Sequence, residues 1–274
     1  HPFIVPKMMH NAAASNVAKA YGFKGVTYSL SSACASSNHA ISNAFQLIRS
    51  GGAKVMIAGG SDSMLTFGGI KAWEGMRIMS KTGCRPFCLT RDGLVQGEGS
   101  AVFVLEEFNF AVKRGANILA EIIGCSMTSD GHDLMSPSVG GVKRAIVKSL
   151  NDAHIPSDLV TYINAHGTGT KINDQIEASA ISSVFANSIK APLVSSTKSM
   201  HGHAMGASGA IELLSCIYAL NHNVVVPTIN VIKEDPELKI NLINNVPRDA
   251  NVDVAMSNAF AFGGLNSVLI LKSI

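Results

Sequence analysis

Short apolar runs rich in β-branched residues alternate along this chain with longer stretches at helical spacing. A chain patterned in this way buries its strands between helices, so an α/β fold with strands covered on both faces is predicted. The pattern places strands at 26–30, 55–58, 101–105, 162–164, 194–196 and 268–271, and helices at 16–21, 39–49, 141–153, 174–185 and 207–220. Pro, Gly, Asn and Asp gather at 130–141 and 221–247, which read as loop-rich connections. With no linker-like or repeated segment to divide it, 1–274 reads as one unit.

Composition narrows the function classes. Charged residues are 15% of the chain, where about a quarter is usual, and 22 Lys+Arg against 19 Asp+Glu leave a formal charge of +3. That balance argues against a nucleic-acid or anionic-membrane surface. Five cysteines, an odd number without metal-ligand spacing, fit a reducing compartment, cytoplasmic or an organelle matrix. No apolar run approaches the roughly 18 residues of a membrane span, and no secretory signal opens the chain. The first residue is His1 instead of methionine, which implies processing or an upstream segment.

Four segments set reactive side chains among small ones. In Ser31-Ser32-Ala33-Cys34-Ala35-Ser36-Ser37 a cysteine stands between a predicted strand and a predicted helix, where the helix N-terminus favours thiolate. A tightly packed, inert cysteine fits the same turn, and Cys84, Cys88, Cys125 and Cys216 are read that way. In Asn164-Ala165-His166-Gly167-Thr168-Gly169-Thr170 a histidine ends a buried strand, with Asp174 and Glu177 at the start of the next helix. That imidazole either faces a ligand or is satisfied by backbone. Ser196 to Gly209 holds Lys198 and His203 on a glycine-rich loop, placed to face one pocket. It matches neither a phosphate loop nor a zinc site, since Lys198 precedes the glycines and His201-x-His203 has no third ligand nearby. Finally, Ser257-Asn258-Ala259-Phe260-Ala261-Phe262-Gly263-Gly264 places two aromatics before a glycine pair, suiting a gate with an oxyanion-binding backbone or ordinary core packing.

Taken together and in order, S-A-C-A-S-S, N-A-H-G-T-G-T with N-D-x-x-E, S-T-K-S-M-x-G-H with G-A-S-G, and S-N-A-F-A-F-G-G resemble the β-ketoacyl-acyl carrier protein synthases. These are the condensing enzymes of the thiolase-like superfamily. The stretches at 55–60 (V-M-I-A-G-G) and 91–99 (R-D-G-L-V-Q-G-E-G) support the likeness, which spans almost the whole chain. One cysteine with two histidines is similar to the elongating type, most of all the bacterial synthase II class. The resemblance implies a five-layered α/β/α/β/α sandwich made of two similar halves, here the remainder of the N-terminal half at 1–110 and the C-terminal half at 111–274. It also implies a homodimer. Only 33 residues precede Cys34, so part of the N-terminal half is expected to be missing from this chain.

The activity the resemblance implies is decarboxylative condensation of malonyl-acyl carrier protein with an acyl group on Cys34, lengthening the chain by two carbons in fatty acid biosynthesis. His166 and His203 are assigned to the malonyl thioester, and the N–H groups of Cys34 and Phe262 to the oxyanion hole, with Phe262 also the gate. Thr168, Thr170, Phe260 and Gly263 are assigned to substrate binding and Asp174 to structural support. Lys198 is expected to pair with Glu177 and organise the histidines. Acyl carrier protein is the implied partner, and it brings the pantetheine, so neither metal nor redox cofactor is called for. Ala261 stands where the family has glycine, from which a strained backbone and a stiffer gate are expected. Lys71, Arg77 and Arg85 are read as ordinary solvated charges. A polyketide-type ketosynthase and a cysteine thioester hydrolase are the alternatives.

Overall fold

Residues 254–272 double back on themselves at the centre of a six-stranded mixed sheet in the computed structural model, which describes residues 2–274. The chain reaches that centre through two groups of elements. First come helices α1 (Ile4–Met8), α2 (Ala12–Tyr21) and α3 (Ser36–Arg49), strand β1 (Val55–Asp62), α4 (Phe67–Gly75), β2 (Gly99–Glu106) and α5 (Phe108–Lys113). Then follow β3 (Glu121–Ser129), α6 (Val139–Ala153), β4 (Tyr162–Asn164), α7 (Lys171–Val184), β5 (Leu193–Ser195), α8 (Lys198–His201) and α9 (Ser208–His222). Short strands β6 (Val224–Val225), β7 (Asn241–Leu242) and β8 (Arg248–Asp249) precede the central pair β9 (Val254–Ala261) and β10 (Leu265–Lys272).

The large sheet runs β3-β10-β9-β4-β5-β7, antiparallel among the first three strands and parallel from β9 onward. Helices cover both its faces, which is why its strands read as continuous apolar runs. Along β10, Val268 and Ile270 point to a core shared with α6 and α7, while Leu269 and Leu271 point to a second core shared with α3 and α9. Val142, Ala145, Ile146, Ser149 and Leu150 form one buried stripe of α6 at helical spacing. Its N-cap Ser138 accepts the Gly141 N–H at 2.9 Å. Beyond α3 and α9 lies the antiparallel pair β1–β2.

Four of the five expected layers are therefore formed: α6 with α7, the large sheet, α3 with α9, and β1–β2. The far side of β1–β2 remains open, Val102 and Val104 being 60% and 64% exposed. Among the described residues no helix is long and apolar enough to cross a membrane.

The strand expected at 26–30 does not form, and Val26 and Tyr28 lie exposed. Its β-branched composition lacks what a strand requires, a neighbouring ladder for its backbone groups. Strands β3 and β9 were not among those expected. Ser257 and Asn258 break the apolar run in β9, yet all eight of its residues are buried. Helix α3 begins at Ser36, three residues before the expected start, because Ser37 and Asn38 are drawn into the interior with it.

Candidate active site

Cys34 sits in the turn that leads into α3. Ala33, at φ 48°, takes a left-handed conformation costly for a side chain with a Cβ, and the turn is closed by Ala35 N–H donating to Ser32 O at 3.1 Å. The thiol is 7% exposed and faces a cavity of about 350 Å³. The expectation of a ready thiolate at a helix N-terminus is overturned. Burial pushes the thiol up to about 11, outweighing the charge of Lys198 and the backbone N–H groups of Cys34 and Phe262, which act the other way. Both of these N–H groups belong to residues on the wall of the same cavity.

Parallel neighbours β4 and β5 end side by side, so the loops that follow them meet on one side of the sheet. The first carries His166; α8 follows the second and leads to His203. The His203 loop is clamped to the segment 95–97, with His203 N–H donating to Val95 O at 2.7 Å and Gly97 N–H to His203 O at 2.9 Å. Only glycine fits at 97, since a Cβ would come within 2.2 Å of His201 O. The two imidazoles meet edge to face with centroids 5.4 Å apart, and both line the Cys34 cavity.

Hydrogen bonds decide which nitrogen of each ring carries the proton. His203 Nδ1 accepts the Met205 N–H at 3.1 Å and lies 2.8 Å from Ser208 Oγ. His166 Nδ1 lies 3.3 Å from Lys198 Nζ. With each Nδ1 serving as acceptor, Nε2–H is the donor left to each ring. Burial, followed by the positive charge of Lys198, holds both rings well below the usual histidine range, so both are neutral.

Lys198 does not pair with Glu177 as expected. It is fully buried, donates to His166 O at 2.6 Å and forms its ion pair with Glu212, a residue no sequence motif singled out. A signal was present: Glu212 is the single carboxylate of α9, within the apolar run Ala210 to Leu214. Glu177 instead receives the N–H groups of His166 and Gly167, each at 2.8 Å, and the Asn258 amide at 3.1 Å. Burial raises Glu177 to about 6 and Glu212 to about 7. Asp174 holds the same loop, accepting N–H groups of Thr168 at 3.1 Å and Gly169 at 3.2 Å, with Phe87 N–H at 2.8 Å on its other oxygen.

Thr168, Thr170, Phe260 and Phe262 line the cavity, and the two threonine hydroxyls lie 2.9 Å apart. Gly263 and Gly264 take φ of +82° and +66°, conformations that favour glycine, and Gly263 N–H donates to Leu134 O at 2.7 Å. Ala261 needs no such freedom. It is the last residue of β9 at φ −109°, ψ 159°, so the strain expected there is absent. Arg77, read as a solvated charge, lines the cavity, and Arg85, only 13% exposed, lies 3.5 Å from Asp92. Sequence reasoning missed Trp73, Met135 and Pro137 on the cavity wall, since nothing local marks them. Among the described residues no group of three or more His, Cys, Asp or Glu side chains is arranged to hold a metal.

A family model described as Beta-ketoacyl synthase, N-terminal domain, matches residues 1–111, and Beta-ketoacyl synthase, C-terminal domain, matches 119–232. Nodulation protein E of Rhizobium sp. (strain N33) is 46% identical over 270 residues, 98% of this chain and 67% of that protein. A 3-oxoacyl-[acyl-carrier-protein] synthase 2 of Staphylococcus aureus (strain COL) is 38% identical, covering 99% of this chain and 67% of its own length. Among solved structures, a Beta-ketoacyl synthase from Burkholderia phymatum STM815 is similar with a TM-score of 0.93 at 36% identity, over 97% of this chain and 66% of that one. A type II PKS acyl-carrier protein in complex with its ketosynthase is similar with a TM-score of 0.92 at 32% identity, over 96% of this chain and 67% of that one. The chain thus spans about two thirds of the length of these relatives.

Proposed function

The chain belongs to the β-ketoacyl synthase family, and from that premise we propose that it is a 3-oxoacyl-[acyl-carrier-protein] synthase of the elongating, synthase II type. The observation that carries this reading is the pair of neutral imidazoles that keep Nε2–H as donor beside Cys34, backed by Lys198 and Ser208 on their inner nitrogens. A hydrolase needs one base beside its nucleophile; two donors suit an enolate.

In this reading Cys34 gives up its proton as its sulfur attacks the acyl thioester, and the bond between the acyl carbon and the carrier's sulfur breaks. The carrier thiol leaves with a proton. The N–H groups of Cys34 and Phe262 hold the oxyanion of the tetrahedral intermediate. When malonyl-carrier protein enters, His166 and His203 donate to its thioester oxygen. The bond to the carboxylate breaks, carbon dioxide departs, and the electron pair remains as an enolate. Its carbon attacks the acyl group on Cys34, the carbon–sulfur bond to Cys34 breaks with its electron pair on sulfur, the thiolate takes a proton from water to restore the thiol, and a β-ketoacyl chain longer by two carbons remains on the carrier. In this reading Thr168 and Thr170, which line the cavity, hydrogen-bond the pantetheine arm. The chemistry so written draws on no metal or redox cofactor.

The reading includes acyl carrier protein as the supplier of both thioesters, a second copy of the chain as partner, and a cytoplasmic or organelle-matrix setting. Intact-mass analysis after mixing with acyl-carrier protein tests it. Wild type should gain one acyl group, Cys34→Ala should gain none, and malonyl-carrier protein should discharge the adduct as a chain two carbons longer. Release of free acid instead of an elongated chain would overturn condensation in favour of hydrolysis.

A further inference from the structure

We propose that Trp73 is a positioning residue of the acyl-transfer step, acting through Phe262. The inference rests on the function proposed above and adds a residue that no sequence motif contains. Phe262 performs two jobs in different directions. Its backbone N–H acts on the Cys34 thiol, favouring the charged form, and its ring stacks on the Trp73 indole, with centroids 6.0 Å apart and planes inclined by 19°. Where the ring rests therefore bears on where the N–H rests.

The backbone after Phe262 is held by the β9–β10 hairpin and by Asp130 N–H donating to Gly264 O at 2.9 Å, but neither contact fixes the Phe262 ring. Gly263 and Gly264 follow it with left-handed backbone, and the hydrogen bond from Gly263 N–H to Leu134 O ties the turn to an exposed loop. The ring itself is only half-buried, as is Trp73. Trp73 stands on α4, a helix with no buried residue, fixed at its start by the Thr66 hydroxyl accepting the Gly69 N–H at 3.1 Å. A half-exposed aromatic pair that bridges a lightly anchored helix and a glycine-hinged turn, both on the wall of the Cys34 cavity, is a clamp. Closed, it holds the amide on the sulfur and the ring over the cavity; parted, it opens a path to Cys34.

Trp73 is the single tryptophan of the chain, so its fluorescence reports this pair alone. The experiment compares wild type, Trp73→Ala, Trp73→Phe and Phe262→Ala in the full chain. The first readout is iodoacetamide alkylation of Cys34, followed by intact mass, which requires no condensing activity. Loss of the stack should raise the alkylation rate about two- to tenfold in Trp73→Ala, with Trp73→Phe close to wild type because a phenyl ring can still stack. Phe262→Ala should shift Trp73 emission to the red. Acyl transfer from acyl-carrier protein to Cys34 should slow in Trp73→Ala through kcat more than KM, and recover in Trp73→Phe.

Equal alkylation rates in wild type and Trp73→Ala, or an emission spectrum indifferent to Phe262→Ala, would overturn the clamp. Altered alkylation with no acyl adduct in wild type would leave the clamp standing and overturn the condensing function instead, so the two failures are told apart. Circular dichroism on each variant separates a loss of fold from a loss of the stack.

Discussion

Lys198 Nζ lies 3.3 Å from His166 Nδ1 and 2.6 Å from the carbonyl oxygen of the same residue, while Glu212 takes its charge from the other side. The ammonium thus fixes the tautomer of the His166 imidazole without reaching the cavity. Burial first, and then this cation, oppose protonation of both rings, which leaves each a donor through Nε2.

The histidines should act after acylation. His166→Asn and His203→Asn are each expected to lower decarboxylation of malonyl-carrier protein by ~10²–10³, the usual cost of losing one donor to an oxyanion. Acyl-adduct formation on Cys34 should persist in both. Rates of carbon dioxide release and of acylation, measured on the same preparations, separate the steps; equal losses in both would contradict the assignment.

The acid side of the decarboxylation profile should lack a histidine limb. Both rings sit well below the usual range, so they remain neutral as pH falls through 6.5. A rate that halves near pH 6.5, in protein shown by circular dichroism to remain folded, would show that one ring is protonated in that range.

Cys34 should behave as a thiol at neutral pH. With burial raising it to about 11, alkylation by iodoacetamide should climb about tenfold per pH unit through the alkaline range and level off only near that value. A plateau at pH 8 would mean that the two amides and Lys198 outweigh desolvation.

Glu212→Gln should be costly to stability, because it leaves the Lys198 charge buried and unpaired. The expected loss is ~3–5 kcal/mol in chemical denaturation. Replacing both partners, as Lys198→Met with Glu212→Leu, should recover most of that loss while decarboxylation stays low, since His166 Nδ1 then has no cation beside it. A Glu212→Gln protein as stable as wild type would refute the pairing's role.

Ala261→Gly should not loosen the gate. The residue is buried and extended in β9, so removing its Cβ is expected to cost ~0.5–1 kcal/mol of stability and leave the range of accepted acyl chains unchanged. A broadened acyl range, measured by competition between carrier-bound chains, would restore the stiff-gate expectation.

Much of this site is legible in the sequence because its reactive residues lie at strand ends and helix starts, where local pattern is strong. Cys34, His166 and His203 each stand in a run of small residues that the chain must fold as a turn, and the structure gathers all three on one cavity. The α/β layering follows from hydrophobic periodicity, and α6 appears within two residues of its expected start.

Local pattern fails where an outcome depends on residues distant in the chain. A strand forms only if another backbone receives its hydrogen bonds, so 26–30 stays irregular despite its composition while the Ser- and Asn-containing β9 is buried at the sheet centre. The partner of Lys198, expected to be Glu177, was misassigned for the same reason. Glu177 and Glu212 are both buried carboxylates near the site, and only the packing of α9 against β4 and β9 brings Glu212 to the ammonium. The fate of the Cys34 thiol was likewise settled in three dimensions, because desolvation is a sum over everything packed around a group and leaves no mark in the sequence beside it. Sequence by itself thus determined the α/β layering and the chemical identities at the ends of several elements; tertiary packing alone decided which strands form and pair, which charges pair, which nitrogens donate and which distant ring, Trp73, stands against Phe262.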